Sequence, residues 1–165
     1  MTKRRRRDTF VYRLSDFLTA MLSWSCFFVY RKYLEGVPIE VEMLKDVNFY
    51  YGVFIIPAGW LLFYSLFDKY GDIYRLSRLA TLARTFFLSM FGVLFLFFTL
   101  ILDDFVRDYT TYYGSFFTLF ILHFGFTATI RMILLTRASR RLKSGRVSFR
   151  TLIVGGNQNA IDLYL

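Results

Sequence analysis

Three long stretches of the chain carry no charged residue: between Asp46 and Asp68, between Arg84 and Asp103, and between Asp108 and Arg131. A bilayer's hydrocarbon core is about 30 Å thick and a helix rises about 1.5 Å per residue, so about 20 apolar residues cross it. Each stretch is predicted to span, over about 48–67, 85–102 and 112–133. A fourth block, Phe17 to Tyr30, is shorter. It reaches spanning length over about 11–33 if Arg13 snorkels to the headgroups and pairs with Asp16, three residues on and on the same helix face. With the run Lys3 to Arg7 before it, this block also resembles a signal-peptide core. It ends, however, in Phe27, Phe28, Val29, Tyr30 and Arg31, without small residues placed for a signal peptidase, so it is expected to be retained.

The cations report orientation, because translocating Lys and Arg is disfavoured. They gather before the first span (Lys3 to Arg7, Arg13), between the second and third (Lys69, Arg75, Arg78, Arg84) and on the C-terminal side of the fourth (Arg131, Arg137, Arg140, Arg141, Lys143, Arg146, Arg150). The intervening loops hold Glu35, Glu40, Glu42 and Asp46, then Asp103, Asp104 and Asp108. Both termini are therefore expected in the cytoplasm. Tyr30, Tyr33, Tyr50, Tyr51, Tyr112 and Tyr113 fall at the proposed outer ends, at headgroup level. Pro57 lies inside the second span, where its ring crowds the carbonyl of Val53 and predicts a kink.

Composition agrees: 56% of the 165 residues are hydrophobic, 21% are aromatic, and mean hydropathy is +0.42. The net charge of +9 is explained by basic flanks beside spans, so nucleic acid is not expected as a partner. Cys26 is the one cysteine, which excludes a disulfide within the chain, and no metal site is expected.

Between the second and third spans, Ile73, Leu76, Ala80 and Ala83 recur at helical spacing while Arg75 and Arg78 take another side. This predicts a short interfacial helix over 68–84 whose arginines contact lipid phosphates or serve as a topology signal. The basic segment 137–148 reads as a juxtamembrane linker, and 149–165 changes character. There Thr151, Leu152, Ile153 and Val154 form a β-branched apolar run ahead of Gly155 and Gly156, as in the first strand and turn of a Rossmann-like unit. The turn lacks G-x-G-x-x-G spacing, which makes Gly155 and Gly156 a weak cofactor-binding signal. The expected organisation is a basic N-terminus (1–10), a four-transmembrane-helix bundle (11–136), the linker (137–148) and the start of a truncated α/β domain (149–165).

No nucleophile and base are paired in the pattern, so no catalytic residue is assigned. His123 sits near the middle of the fourth span and reads as a neutral histidine hydrogen-bonded to another helix, with a functional role as the alternative. Arg131 lies about one turn inside the span's end, where snorkelling is favoured over contact with an anionic headgroup. Adjacent Asp103 and Asp104 point about 100° apart on a helix and read as a helix end.

The order of features resembles the N-terminal membrane region of bacterial polyprenyl glycosylphosphotransferases. The resemblance rests on Asp72-Ile-Tyr-Arg75-Leu-Ser77-Arg78-Leu79 after the second span, Leu102-Asp103-Asp104 after the third and Tyr112-Tyr113-Gly-Ser115-Phe116 before the fourth. Leu122-His123-Phe124 inside the fourth span and Phe149-Arg-Thr151-Leu-Ile-Val-Gly155 after it complete the series. It implies a multi-pass protein of the bacterial inner membrane that initiates exopolysaccharide or O-antigen synthesis. Such an enzyme moves a sugar phosphate from a nucleotide-sugar to undecaprenyl phosphate, using magnesium and an acidic dyad in a later domain. No residue here matches that dyad. The chain is then expected to act as an anchor and a dimerisation element, forming a homo-oligomer. Membrane-bound nucleotide-sugar dehydratases share this front end, and a membrane scaffold without chemistry is the third reading.

Overall fold

The computed structural model describes residues 3–34, 36, 46–67, 70, 74, 76–101 and 109–145. Its regular elements are all helical: α1 (Lys3–Leu34), α2 (Val47–Phe67), α3 (Arg78–Leu96), which runs into a π-helical turn (Phe97–Ile101), and α4 (Tyr109–Lys143). Three stretches are long and apolar enough to cross a membrane: Val47–Phe67, Arg78–Thr99 and Tyr112–Lys143. The apolar block of α1 is instead part of a longer helix that begins inside the basic N-terminal run at Lys3.

The bundle is apolar outside, and inside it buries polar side chains beside an apolar core of Ala20, Phe27, Ile56, Trp60, Tyr64, Leu88, Val93 and Leu119. Phe54, Ile55, Leu62, Leu66, Phe95, Phe98, Phe117 and Ile121 are exposed, whereas Asp16, Thr19, Ser23, Thr85, Ser89, His123, Thr127 and Arg131 are buried. A surface of contiguous large apolar side chains has no stable place in water, and lipid is the solvent that matches it. Inside, the hydroxyls are satisfied by their own helices: Ser23 donates to the Thr19 carbonyl, Thr85 to Thr81 and Thr136 to Met132, each at 2.7 Å.

α1 is the centre of assembly, packing against both α2 and α4, while α3 packs on α4 and only lightly on α2. Side-chain contacts between α1 and α4 step through Asp8–Arg141, Asp16–Arg131, Thr19–Thr127 and Ser23–Leu122. Their numbers rise on one helix as they fall on the other, so the two helices are antiparallel. Two glycines admit tryptophan rings between helices. A methyl at Gly52 on α2 would overlap the Trp24 indole of α1, and one at Gly92 on α3 would overlap the Trp60 ring of α2.

Several expectations change. Arg78 to Arg84 is no separate interfacial helix: Ser77 is extended (φ −74°, ψ 135°) and α3 begins at Arg78, with no Gly or Pro before Thr85 to stop it. The helix that carries the third apolar stretch thus begins at Arg78, seven residues before the expected span, and has Arg78 and Arg84 in its first turns. α2 is helical on both sides of Pro57, as a kinked helix also would be, and the proline ring is fully buried. Arg75, the strand expected over Thr151 to Val154, and Gly155 and Gly156 lie outside the described residues.

Candidate functional site

The stripe that builds the interior is visible on each helix. On α1 it is Asp8, Tyr12, Asp16, Thr19 and Ser23; on α4 it is Ser115, Leu119, His123, Thr127 and Arg131. Steps of three or four residues keep one helix face inward. Thr81, Thr85, Ser89 and Gly92 form the corresponding face of α3.

At the centre, Arg131 of α4 clasps Asp16 of α1. Its Nε donates to Oδ1 at 3.0 Å and its Nη2 to Oδ2 at 2.8 Å, a bidentate fork with both side chains out of contact with solvent, 0% and 2% exposed. Nη1 donates to Thr85 Oγ1 at 2.9 Å, which brings α3 into the same joint. The guanidinium also lies over the Tyr64 ring at 4.4 Å and the Tyr12 ring at 5.3 Å. Outside the helices, the Tyr70 hydroxyl donates to Asp16 Oδ2 at 3.0 Å. One ion pair thus gathers side chains from all four helices and the α2–α3 connection. Burying two charges costs several kcal/mol per ion, and the fork, the hydroxyls and the aromatic faces are what offset it.

Arg131 is therefore turned into the bundle and does not snorkel; its expected lipid-facing position is corrected by its full burial against Asp16. Arg13 likewise leaves Asp16 to Arg131, and its guanidinium sits 5.0 Å from the Tyr70 ring centroid. Arg78 stands exposed at the first position of α3.

One turn and more from the clasp lies an aromatic joint. His123 Nε2 and the Tyr64 hydroxyl are 2.9 Å apart, the donor being set by the histidine tautomer. The imidazole stacks on Trp60 with centroids 3.8 Å apart and planes 18° apart. This fulfils the expected interhelical hydrogen bond of His123, here to α2. Gly92 supplies the room that Trp60 needs for this stack.

Near the N-terminal end of α1 the same chemistry recurs in the open. Arg141 Nη1 donates to Asp8 Oδ1 at 3.2 Å with 45% of its side chain exposed, and the Tyr74 hydroxyl donates to Asp8 Oδ2 at 2.6 Å. Burial and the neighbouring carboxylates raise the hydroxyl pKa of both connection tyrosines, Tyr70 beside Asp16 and Tyr74 beside Asp8.

Asp8, Tyr64, Tyr70, Tyr74 and Thr85 were not singled out by sequence reasoning. For Asp8 and Thr85 the signal available was the polar spacing along α1 and α3, which runs at helical period; Tyr64, on α2, and Tyr70 and Tyr74, in the connection, had no such signal. Among the described residues, no three His, Cys, Asp or Glu side chains converge as for a metal ion. The buried groups are turned on one another, which suits them to fixing helices. No protein-family model matches the chain, and neither a curated protein nor a solved structure matches it.

Proposed function

We propose that the chain is a membrane anchor that holds an enzymatic domain at the inner face of a bacterial inner membrane, with four crossings and both ends cytoplasmic. The observation that carries the anchoring role is the Asp16–Arg131 clasp, which ties the first helix to the last and fixes their register. Flexible tethering would need only one span, whereas a bundle closed by a buried fork is a rigid platform. The basic ends of α1 and α4 meet on one side, in keeping with the positive-inside bias. Reporters active only in cytoplasm or only in periplasm, fused after Lys45, Ala80, Asp108 and Ser148, test this topology. A periplasmic signal at Ala80 or Ser148 would sink it.

The enzyme served is, in this reading, a polyprenyl glycosylphosphotransferase acting on a nucleotide-sugar and undecaprenyl phosphate, with magnesium in its catalytic domain. The ordered sequence motifs support it, among them Leu122-His123-Phe124, whose histidine sits in the aromatic joint. The test is to read the gene beyond the codon for Leu165 and assay membranes bearing the product for transfer of labelled sugar phosphate to undecaprenyl phosphate. Transfer supports the reading; a complete NAD fingerprint with a dehydratase tyrosine–lysine pair, or a stop codon, replaces it with the dehydratase or the scaffold.

A further inference from the structure

At the end of the bundle where α1 begins and α4 finishes, a cavity of about 280 Å³ opens between the two helices and Tyr74. Arg7, Arg137 and Arg141 line it, with Asp8 as the one carboxylate. Among the described lining residues, three guanidiniums against one carboxylate leave a net charge of +2 around a space roomy enough for a small anion. Arg141 is engaged by Asp8, but Arg7 and Arg137 are exposed and form no ion pair with a described carboxylate. The other wall is apolar, formed by Val11, Leu134 and the buried Ala138.

We propose that this cavity binds a phosphate ester at the membrane surface, its oxygens taken by Arg7 and Arg137. The Asp8–Arg141–Tyr74 contacts hold the site's floor. Asp8 fixes Arg141 and is itself fixed by Tyr74, so the inner part of the cavity is prepared before any anion arrives. Among the described residues, no carboxylate answers the charge of these two arginines. Guanidinium pairs suit phosphate because their donors match its oxygens in pairs. The apolar wall places an acyl or prenyl chain directly below, the arrangement in which basic pockets between spans hold lipid headgroups. Arg140, one residue from Arg141, is exposed, is not among the residues that line the cavity and is the natural control. This inference stands apart from the transferase reading, because it needs neither a later domain nor a sugar substrate.

The test uses the whole chain in detergent, with native mass spectrometry of retained lipid after equal exposure to phosphatidic acid, phosphatidylglycerol and phosphatidylcholine. The unaltered chain is expected to retain the two anionic lipids over the zwitterionic one. Joint substitution Arg7→Gln and Arg137→Gln should weaken that retention about tenfold to thirtyfold, the effect of two surface cations near a membrane, while Arg140→Gln leaves it within about twofold. Elution volume and helical circular dichroism confirm that the variants are folded. Adding inorganic phosphate then separates the sources: displacement of lipid means that free phosphate also occupies the site, and no displacement restricts it to lipid-borne phosphate. Either result keeps the phosphate assignment. Equal retention by the double variant and Arg140→Gln, or no preference for anionic lipid, overturns it.

Discussion

Two Arg–Asp pairs join α1 to α4, and they differ in almost everything except their chemistry. Asp16–Arg131 is bidentate and sealed, with four further hydroxyl or aromatic partners; Asp8–Arg141 is a single 3.2 Å contact with an arginine side chain 45% exposed. They lie only about 12 Å apart along the helix axis. Depth makes the difference. An exposed pair gives back little more than the hydration it gives up, whereas a sealed pair commits both partners, since removing either strands the other. The deep pair thus suits a fixed joint, and the shallow pair leaves charge near water where an anion can reach it.

The largest break in that comparison is Arg131→Met. It should cost about 3–5 kcal/mol by leaving Asp16 buried without its cation, and adding Asp16→Leu should recover most of the loss. Thermal unfolding in detergent checks this, and a double variant as unstable as the single one would contradict the clasp's role. Next, Gly92→Ala drives a methyl into Trp60 and forces it off His123, for about 1–3 kcal/mol. Gly59→Ala is the matched control: no atom stands near its new methyl, and stability should move by less than about 1 kcal/mol. Tyr64→Phe takes the hydrogen bond from His123 Nε2 and should cost about 1–2 kcal/mol in the same assay.

Arg141→Gln, the shallow counterpart of the first variant, should change stability by no more than about 1 kcal/mol. A loss comparable to that of Arg131→Met would erase the distinction between the two pairs. The smallest effect near neutrality is pH. Tyr70 and Tyr74 have hydroxyl pKa values raised in the folded chain, so their contribution is complete below the ordinary tyrosine value of about 10 and is lost as pH rises through the raised values. Unfolding temperature should therefore stay flat from pH 7 to about 9 and fall only above pH about 10. Tyr70→Phe should blunt that alkaline fall.

The apolar segments were legible because lipid imposes a length and excludes charge, and three described helices meet both conditions. The start of α3 was misread because Arg78 and Arg84 looked like a boundary, whereas a helix tolerates cations in its first turns when their long side chains reach outward. The clasp was illegible for a different reason. Asp16 has a cation three residues away in Arg13, and local spacing favours that partner, yet packing delivers Arg131 from a distant part of the chain. Pair choice here is set by which faces the helices turn to one another. His123 was read correctly because a mid-span imidazole has few other ways to satisfy its nitrogens.

The distance in sequence between the clasp's halves also has a temporal meaning. Arg131 is translated 115 residues after Asp16, so the carboxylate is made long before its countercharge exists. Until α4 emerges, the carboxylate of Asp16 must linger at the headgroups or be sheltered by the insertion machinery. The clasp accordingly closes only once α4 is made, and nascent chains arrested before Tyr109 should be cleared by membrane proteases faster than chains that include α4 in a pulse-chase experiment. The fork that ties α1 to α4 is thus also a checkpoint on the assembly of the bundle.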